Sequence, residues 1–216
     1  MERKWYLVIL ARRLGMKLSG KDILQVSIEK FLGACPGIKV ITILPAEWTG
    51  PWMDYCSVSN FNCPQRIVRG KFTPFHSIRT ALEKIPEDAF VIIHEGDRPF
   101  VSSGLIAGMI RKAESGVRAV VPYVAAPEAV KVLTAAGAYR SLSGGFYLSQ
   151  TPQVFRAGDI KAAYGQAYDV SFSDPASVAE KNNIPLSPVE GEKWNVRVET
   201  AEDLAAVRAA ISARNS

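Results

Sequence analysis

Trp5-Tyr6-Leu7-Val8-Ile9-Leu10-Ala11 is an unbroken apolar run, and Lys21 to Leu32 after it places Leu24, Ile28 and Phe31 on one helical face. A strand with one wet face would alternate; a run apolar at every position fits a strand covered on both sides. Strand, turn and helix in that order open an α/β chain. The turn itself, Arg12-Arg13-Leu14-Gly15-Met16-Lys17-Leu18, is short and basic: Arg12, Arg13, Lys17 and Lys21 are its cations, with no acid among them.

Outward from this start, Ile38 to Leu44 reads as a second buried strand closed by Pro45. Glu47 to Pro64 carries Trp, Pro and Cys with weak periodicity and reads as a loop. Ser77 is placed to cap a helix bearing Ile78, Leu82 and Ile85. Ala89 to Ile93 is another buried strand, ending in His94-Glu95-Gly96-Asp97-Arg98-Pro99. Ligands of open α/β sheets sit beyond the carboxyl ends of the strands, so this charged run is the first site candidate, with a solvated turn as its alternative. Leu105 to Glu114 reads as a helix and Ala119 to Tyr123 as a strand. Pro127 to Phe146 is too rich in Ala, Gly and β-branched residues for a compact helix and reads as an extended arm. Asp174-Pro175 starts a helix through Lys181, and Thr200 with Asp203 starts the last one as a capping box. Strands alternating with helices predict a three-layer α/β fold with a mostly parallel sheet, one domain over residues 1–216 with an arm at about 125–147.

Composition agrees. With 216 residues, 48% hydrophobic and 22% charged, the chain can close one core and has no signature of disorder. Its net charge of +5 is spread along the chain, which favours anions in general but leaves no nucleic-acid footprint. Three cysteines in unpaired spacing and two histidines argue against a zinc site or a disulfide framework. The first apolar run is too short to span a bilayer and lacks a cleavage site, so the chain is expected to be soluble and cytoplasmic, with no membrane partner.

Four runs stand in order: His94 to Val101, Gln150-Thr151-Pro152-Gln153-Val154-Phe155, Ser173-Asp174-Pro175-Ala176, and Asn195-Val196-Arg197 before Thr200-Ala201-Glu202-Asp203-Leu204. In register they resemble successive motifs of the methylerythritol-phosphate cytidylyltransferases. Leu18 to Leu24 resembles the segment that opens that family's first helix, and ribitol-phosphate cytidylyltransferases share these motifs. The resemblance implies a Rossmann-like nucleotidyltransferase fold with a β-arm, and a homodimer that exchanges its arms. It implies transfer of a cytidylyl group from CTP to a sugar-alcohol phosphate, with magnesium and release of pyrophosphate, in isoprenoid precursor synthesis. Such chemistry is positioning and charge neutralisation around an anionic phosphorus.

The same resemblance assigns roles. Arg98 and Arg197 are the expected catalytic cations, Arg197 standing where the family has a lysine near the substrate phosphate. Thr151 and Glu95 are expected at the substrate, and Glu95, in the family's aspartate position, at the magnesium ion; Asp97 replaces a small residue of the family pattern, and its charge either joins Glu95 at the metal or repels the substrate. Gly70 and Ser77 are expected at the nucleotide; Arg12, Arg13, Lys17 and Lys21 are expected there by their charge and not by the resemblance, with a solvated basic turn as the alternative. Departures are equally specific. Roughly a dozen residues of the family's Gly-rich turn, whose amides cradle the triphosphate, have no counterpart after Ala11. Pro74 replaces an arginine, Ala125-Ala126 an Asp-Thr pair, and Ser143 an arginine that reaches across the dimer. Three readings follow: an impaired or inactive relative, a working transferase in which Arg12, Arg13 and Lys17 replace the turn, and a non-catalytic interaction module using the arm.

Overall fold

The structure is a computed structural model and describes residues 3–142 and 144–214. In chain order its first half holds β1 (Trp5–Leu10), β2 (Lys17–Leu18), β3 (Lys21–Asp22), α1 (Ile23–Ala34), β4 (Lys39–Leu44), α2 (Ala46–Val58), β5 (Gln65–Arg69), α3 (Pro74–Leu82), β6 (Phe90–Glu95) and α4 (Ser103–Glu114). The second half holds β7 (Ala119–Ala125), β8 (Lys131–Leu133), β9 (Tyr139–Ser141), β10 (Tyr147–Ser149), β11 (Gln153–Arg156), α5 (Ala157–Ala163), α6 (Pro175–Lys181), β12 (Leu186–Glu190) and α7 (Ala201–Arg214).

Eight strands form the main sheet in the order β10-β7-β11-β6-β1-β4-β5, with β12 on the other edge of β7. β1 pairs in parallel with β4 and β6, β4 with β5, and β7 with β12. Only β10 and β11 run antiparallel to their neighbours. The carboxyl ends of β1, β4, β5, β6 and β7 therefore share one edge.

The first strand explains the three layers. Tyr6 and Val8 join the core with Phe75, Ile78 and Leu82 of α3 and with α5 and α6. Trp5, Leu7 and Ile9 join the other, with Leu24, Ile28 and Phe31 of α1, Trp52 of α2 and Ile106 and Met109 of α4. Leu7, Val8 and Ile9 are fully buried, and each such side chain contributes about 1.5–3 kcal/mol.

Two expectations are corrected. Glu47 to Pro64 is mostly helix, because the buried Trp52 anchors α2 by donating to Gln65 Oε1 at 3.0 Å and stacking on Tyr55, despite Pro51 inside the helix. Ser77 is not a cap: α3 begins at Pro74 with Thr73 as its N-cap, and the Ser77 hydroxyl donates to the Thr73 carbonyl. The arm is a small antiparallel sheet of β8 and β9, which pair with each other and not with the main sheet. Thr200 and Asp203 form their reciprocal cap, at 2.9 and 3.1 Å. Among the described residues no helix is long and apolar enough to cross a membrane.

Candidate active site

A cavity of about 880 Å³ opens at the shared carboxyl edge, lined by Leu10 at the end of β1 with Ala11 and Arg12 after it, Pro45 after β4, Gly70 after β5 and Glu95 at the end of β6. Of the residues expected at a nucleotide, Arg12, Gly70 and Ser77 line it; so do Glu95, Asp97, Arg98, Thr151 and Arg197. Arg13, Lys17 and Lys21 do not: Arg13 donates to the Glu199 carbonyl, and Lys21 binds the Glu29 carboxylate at 2.8 Å.

The segment after β1 is a closed turn. β2 and β3 form a two-residue hairpin with Ser19 at φ 52° and Gly20 at φ 84°, the paired positive angles that such turns need. Asp22, 2% exposed, then uses both oxygens locally. Oδ1 accepts from Leu24 N at 2.9 Å to cap α1, and Oδ2 accepts from Gly15 N at 2.7 Å. The Ile23 amide closes the hairpin on the Met16 carbonyl. Gly15, the residue best able to open a phosphate cradle, thus spends its amide on the protein's own carboxylate.

The end of β6 is built differently. Gly96 donates to the Leu10 carbonyl at 2.6 Å and accepts from the Ser27 hydroxyl, and a Cβ there would stand 2.8 Å from Leu24 Cδ1 and 3.2 Å from Leu10 O. Beside it Glu95 meets three guanidiniums. Oε2 accepts from Arg98 Nε at 2.7 Å, while Oε1 bonds Arg197 and lies 3.7 Å from Arg12. Burial pushes the Glu95 carboxyl up, but Arg98 and Arg197 outweigh it and hold it below its ordinary value. Asp97 has the opposite balance: burial and the Glu95 charge push it up to about 6, against Arg197, Arg12 and Arg98. Its Oδ1 is buried without a hydrogen-bond partner. His94 is pushed down to about 3 by burial, so its neutral ring donates from Nε2 to the Arg98 carbonyl at 3.2 Å.

Two features in and beside the cavity are not visible as contacts in the sequence, although Asn195 reads there as a structural turn residue. One is an aromatic wall in which Phe75 stacks on Tyr164 at 4.8 Å and on Phe172 at 5.5 Å, with Tyr168 beside them. The four-residue spacing of Tyr164, Tyr168 and Phe172 is the signal that could have revealed it. The other is a set of buried amides. Gln150 Nε2 donates to the Glu192 and Asn195 carbonyls and Gln150 Oε1 accepts from Glu192 N, while Asn195 Nδ2 donates to Thr151 O. Arg98 Nη1 also reaches Asn195 O, at 2.7 Å. This lattice holds the Arg197 segment against β6. Thr151 is part of it: its hydroxyl accepts from Glu95 N at 3.2 Å.

Comparison with known proteins gives the family and the fold. The sequence profile described as IspD: 2-C-methyl-D-erythritol 4-phosphate cytidylyltransferase matches residues 11–213. The chain belongs to this family. It is 34% identical over 189 residues to the 2-C-methyl-D-erythritol 4-phosphate cytidylyltransferase of Phocaeicola vulgatus, covering 88% of this chain and 86% of the relative. That of Bacteroides fragilis matches to the same extent. Its fold superposes on 4-diphosphocytidyl-2C-methyl-D-erythritol synthase from Anaerococcus prevotii with TM-score 0.82 at 22% identity, over 97% and 96% of the two chains. The Francisella tularensis 2-C-methyl-D-erythritol 4-phosphate cytidylyltransferase gives 0.79 at 26% identity, over 95% and 99%.

As a member of the cytidylyltransferase family the chain is expected to handle magnesium at Glu95 and Asp97, and the residues present do not fit it. Both Glu95 oxygens are taken by arginines, Oε2 by Arg98 and Oε1 by Arg197. Unit charges about 4 Å apart interact by roughly 4 kcal/mol near a protein surface, and a divalent ion doubles that from each guanidinium. Three guanidiniums here outnumber two carboxylates. Of the family's other departures, Pro74 lines the cavity as the first residue of α3, Ala125 and Ala126 lie at the root of the arm, and Ser143 lies outside the described residues.

Proposed function

We propose that this cytidylyltransferase relative keeps the family's cavity for CTP and a sugar-alcohol phosphate, while cytidylyl transfer itself is impaired or absent. The observation that carries this reading is the closed turn after β1, where Asp22 occupies the Gly15 amide and Arg13 and Lys21 bind other parts of the chain. Backbone amides aimed at a developing anion are worth roughly two to three powers of ten each in rate, and losses within one site compound. With Glu95 surrounded by arginines, we assign the chain no resident magnesium. Pyrophosphate release from CTP and methylerythritol phosphate in excess magnesium tests the reading: the expected result is turnover at or near background, and sustained release at rates normal for enzymes overturns it.

A working transferase is the second reading, favoured by the place of Arg12 on the cavity wall. It requires turnover that Arg12→Ala abolishes. We further propose a homodimer joined through the arm, where Leu133, Tyr139 and Tyr147 are 60%, 74% and 66% exposed. Sedimentation as a dimer is the expected result, and a monomer at high concentration overturns it. A cytoplasmic address suits the three free cysteines.

A further inference from the structure

The misfit between the charge cluster and a metal ion has a constructive reading. We propose that Arg12 and Arg197 form a divalent-independent anion subsite that binds a phosphate-bearing small molecule by exchanging Glu95 for the ligand's oxygens. This deepens the reading above, on which it rests for the choice of cavity, by naming what holds the phosphate there.

Donor supply is the first support. A guanidinium offers five N–H donors. Arg12 is half exposed, and among the described residues its one ion pair within 4 Å is the long one to Glu95, at 3.7 Å. Arg197 gives Nη2 to Glu95 and otherwise makes only long ion pairs among the described residues, 3.6 Å from Glu199 through Nη1 and 3.8 Å from Asp97 through Nε. Both side chains face the cavity with capacity left.

The second support is what Glu95 keeps when they turn away. Arg98 stays on Oε2 at 2.7 Å and is itself anchored to the Asn195 carbonyl, so Glu95 is never left as an unpaired buried charge. Arg98 is thus a positioning residue that holds the counter-ion, while Arg12 and Arg197 are the exchangeable pair. Forked guanidiniums match phosphate oxygens in a way that a point charge does not. In this arrangement they supply the neutralisation for which a metal ion would otherwise be needed.

Titration calorimetry with inorganic pyrophosphate, in EDTA and separately in excess magnesium, decides the matter, with thermal shift as a second readout for binding without heat. The expected result is binding in EDTA at least as tight as in magnesium, weakened about tenfold or more by Arg12→Ala and partly restored by Arg12→Lys. Lys84→Ala, an exposed residue outside the cavity, should leave it unchanged. Glu95→Gln gives the sharpest contrast: removing a competing carboxylate tightens binding several-fold in EDTA, whereas removing a metal ligand weakens binding in magnesium. Binding only with magnesium, weaker binding by Glu95→Gln, or no binding in either buffer overturns the proposal. Turnover with CTP would overturn the impaired-enzyme reading and leave this subsite standing; metal-dependent binding without turnover would do the reverse.

Discussion

The ends of β1 and β6 lie side by side at one sheet edge, yet they are held by different means. After β1 the chain closes on itself through a two-residue hairpin and one buried carboxylate, and its cations, Arg12 apart, bind elsewhere or stay outside the cavity. After β6 the charged residues are locked from outside, by Gln150, Thr151 and Asn195 reaching across from distant parts of the chain. A local turn can be shortened with little effect on its neighbours, because its hydrogen bonds are made within it. A lattice shared by β6, β11 and the Arg197 segment cannot lose a member without leaving others buried and unpaired. The short turn after β1 and the shared lattice after β6 thus differ in how far a change in each one spreads.

The largest effect is expected where the lattice is densest. Gln153 is fully buried, donates to Ser149, Asp174 and Gln150, and accepts from Ala176 N at 2.8 Å. Gln153→Ala should cost about 3 kcal/mol in urea unfolding, since it strands the buried Ala176 amide, leaves a cavity and takes one donor from the Asp174 carboxylate; a loss under about 1 kcal/mol would dissolve the contrast.

Asp97 sharpens it through pH. Its folded-state carboxyl, raised to about 6, binds protons more tightly than in the unfolded chain, so its contribution favours the fold below about pH 4 and is lost as pH rises through 6. Asp97→Asn should therefore raise stability at pH 7.5 by on the order of 2 kcal/mol and flatten the profile between about pH 4 and 6. An unchanged profile would remove Asp97 from the strained part of the site.

Asp22→Ala tests the other side, removing a helix cap and freeing the Gly15 amide. Loss of about 1–2 kcal/mol is expected, with pyrophosphate affinity unchanged or improved. A larger loss would make the hairpin as structural as the lattice. Last, Lys21→Ala breaks only an exposed pair with Glu29, and both its melting temperature and its ligand binding should match those of the parent, within about 0.5 kcal/mol.

Much of this was legible in the residues. The period of the apolar runs marks β1, β4, β6 and α1, and cap chemistry marks the starts of α6 and α7. The charged run after Ile93 marks the cavity. Other elements hid for identifiable reasons. α2 has a poor helical pattern, and its helix depends on Trp52 finding Gln65 across the fold. Ser77 looked like a cap because a hydroxyl before an apolar run suits one, but Pro74 with Thr73 starts the helix one turn earlier. Thr151 lines the cavity where a substrate contact is expected, and no spacing along the chain shows that its hydroxyl also accepts from the Glu95 amide.

By itself the sequence determined the layered α/β fold, the family and the absence of a Gly-rich turn, because periodicity, motif order and a gap in a motif are all properties of a line of residues. The tertiary structure decided which charges meet. Arg12, Arg98 and Arg197 lie as far apart as 185 positions in the chain, from 12 to 197, and converge on one carboxylate, whereas Arg13, next to Arg12, turns to the Glu199 carbonyl. Charge interactions depend on distance in space and on burial, and neither is a function of distance along the chain.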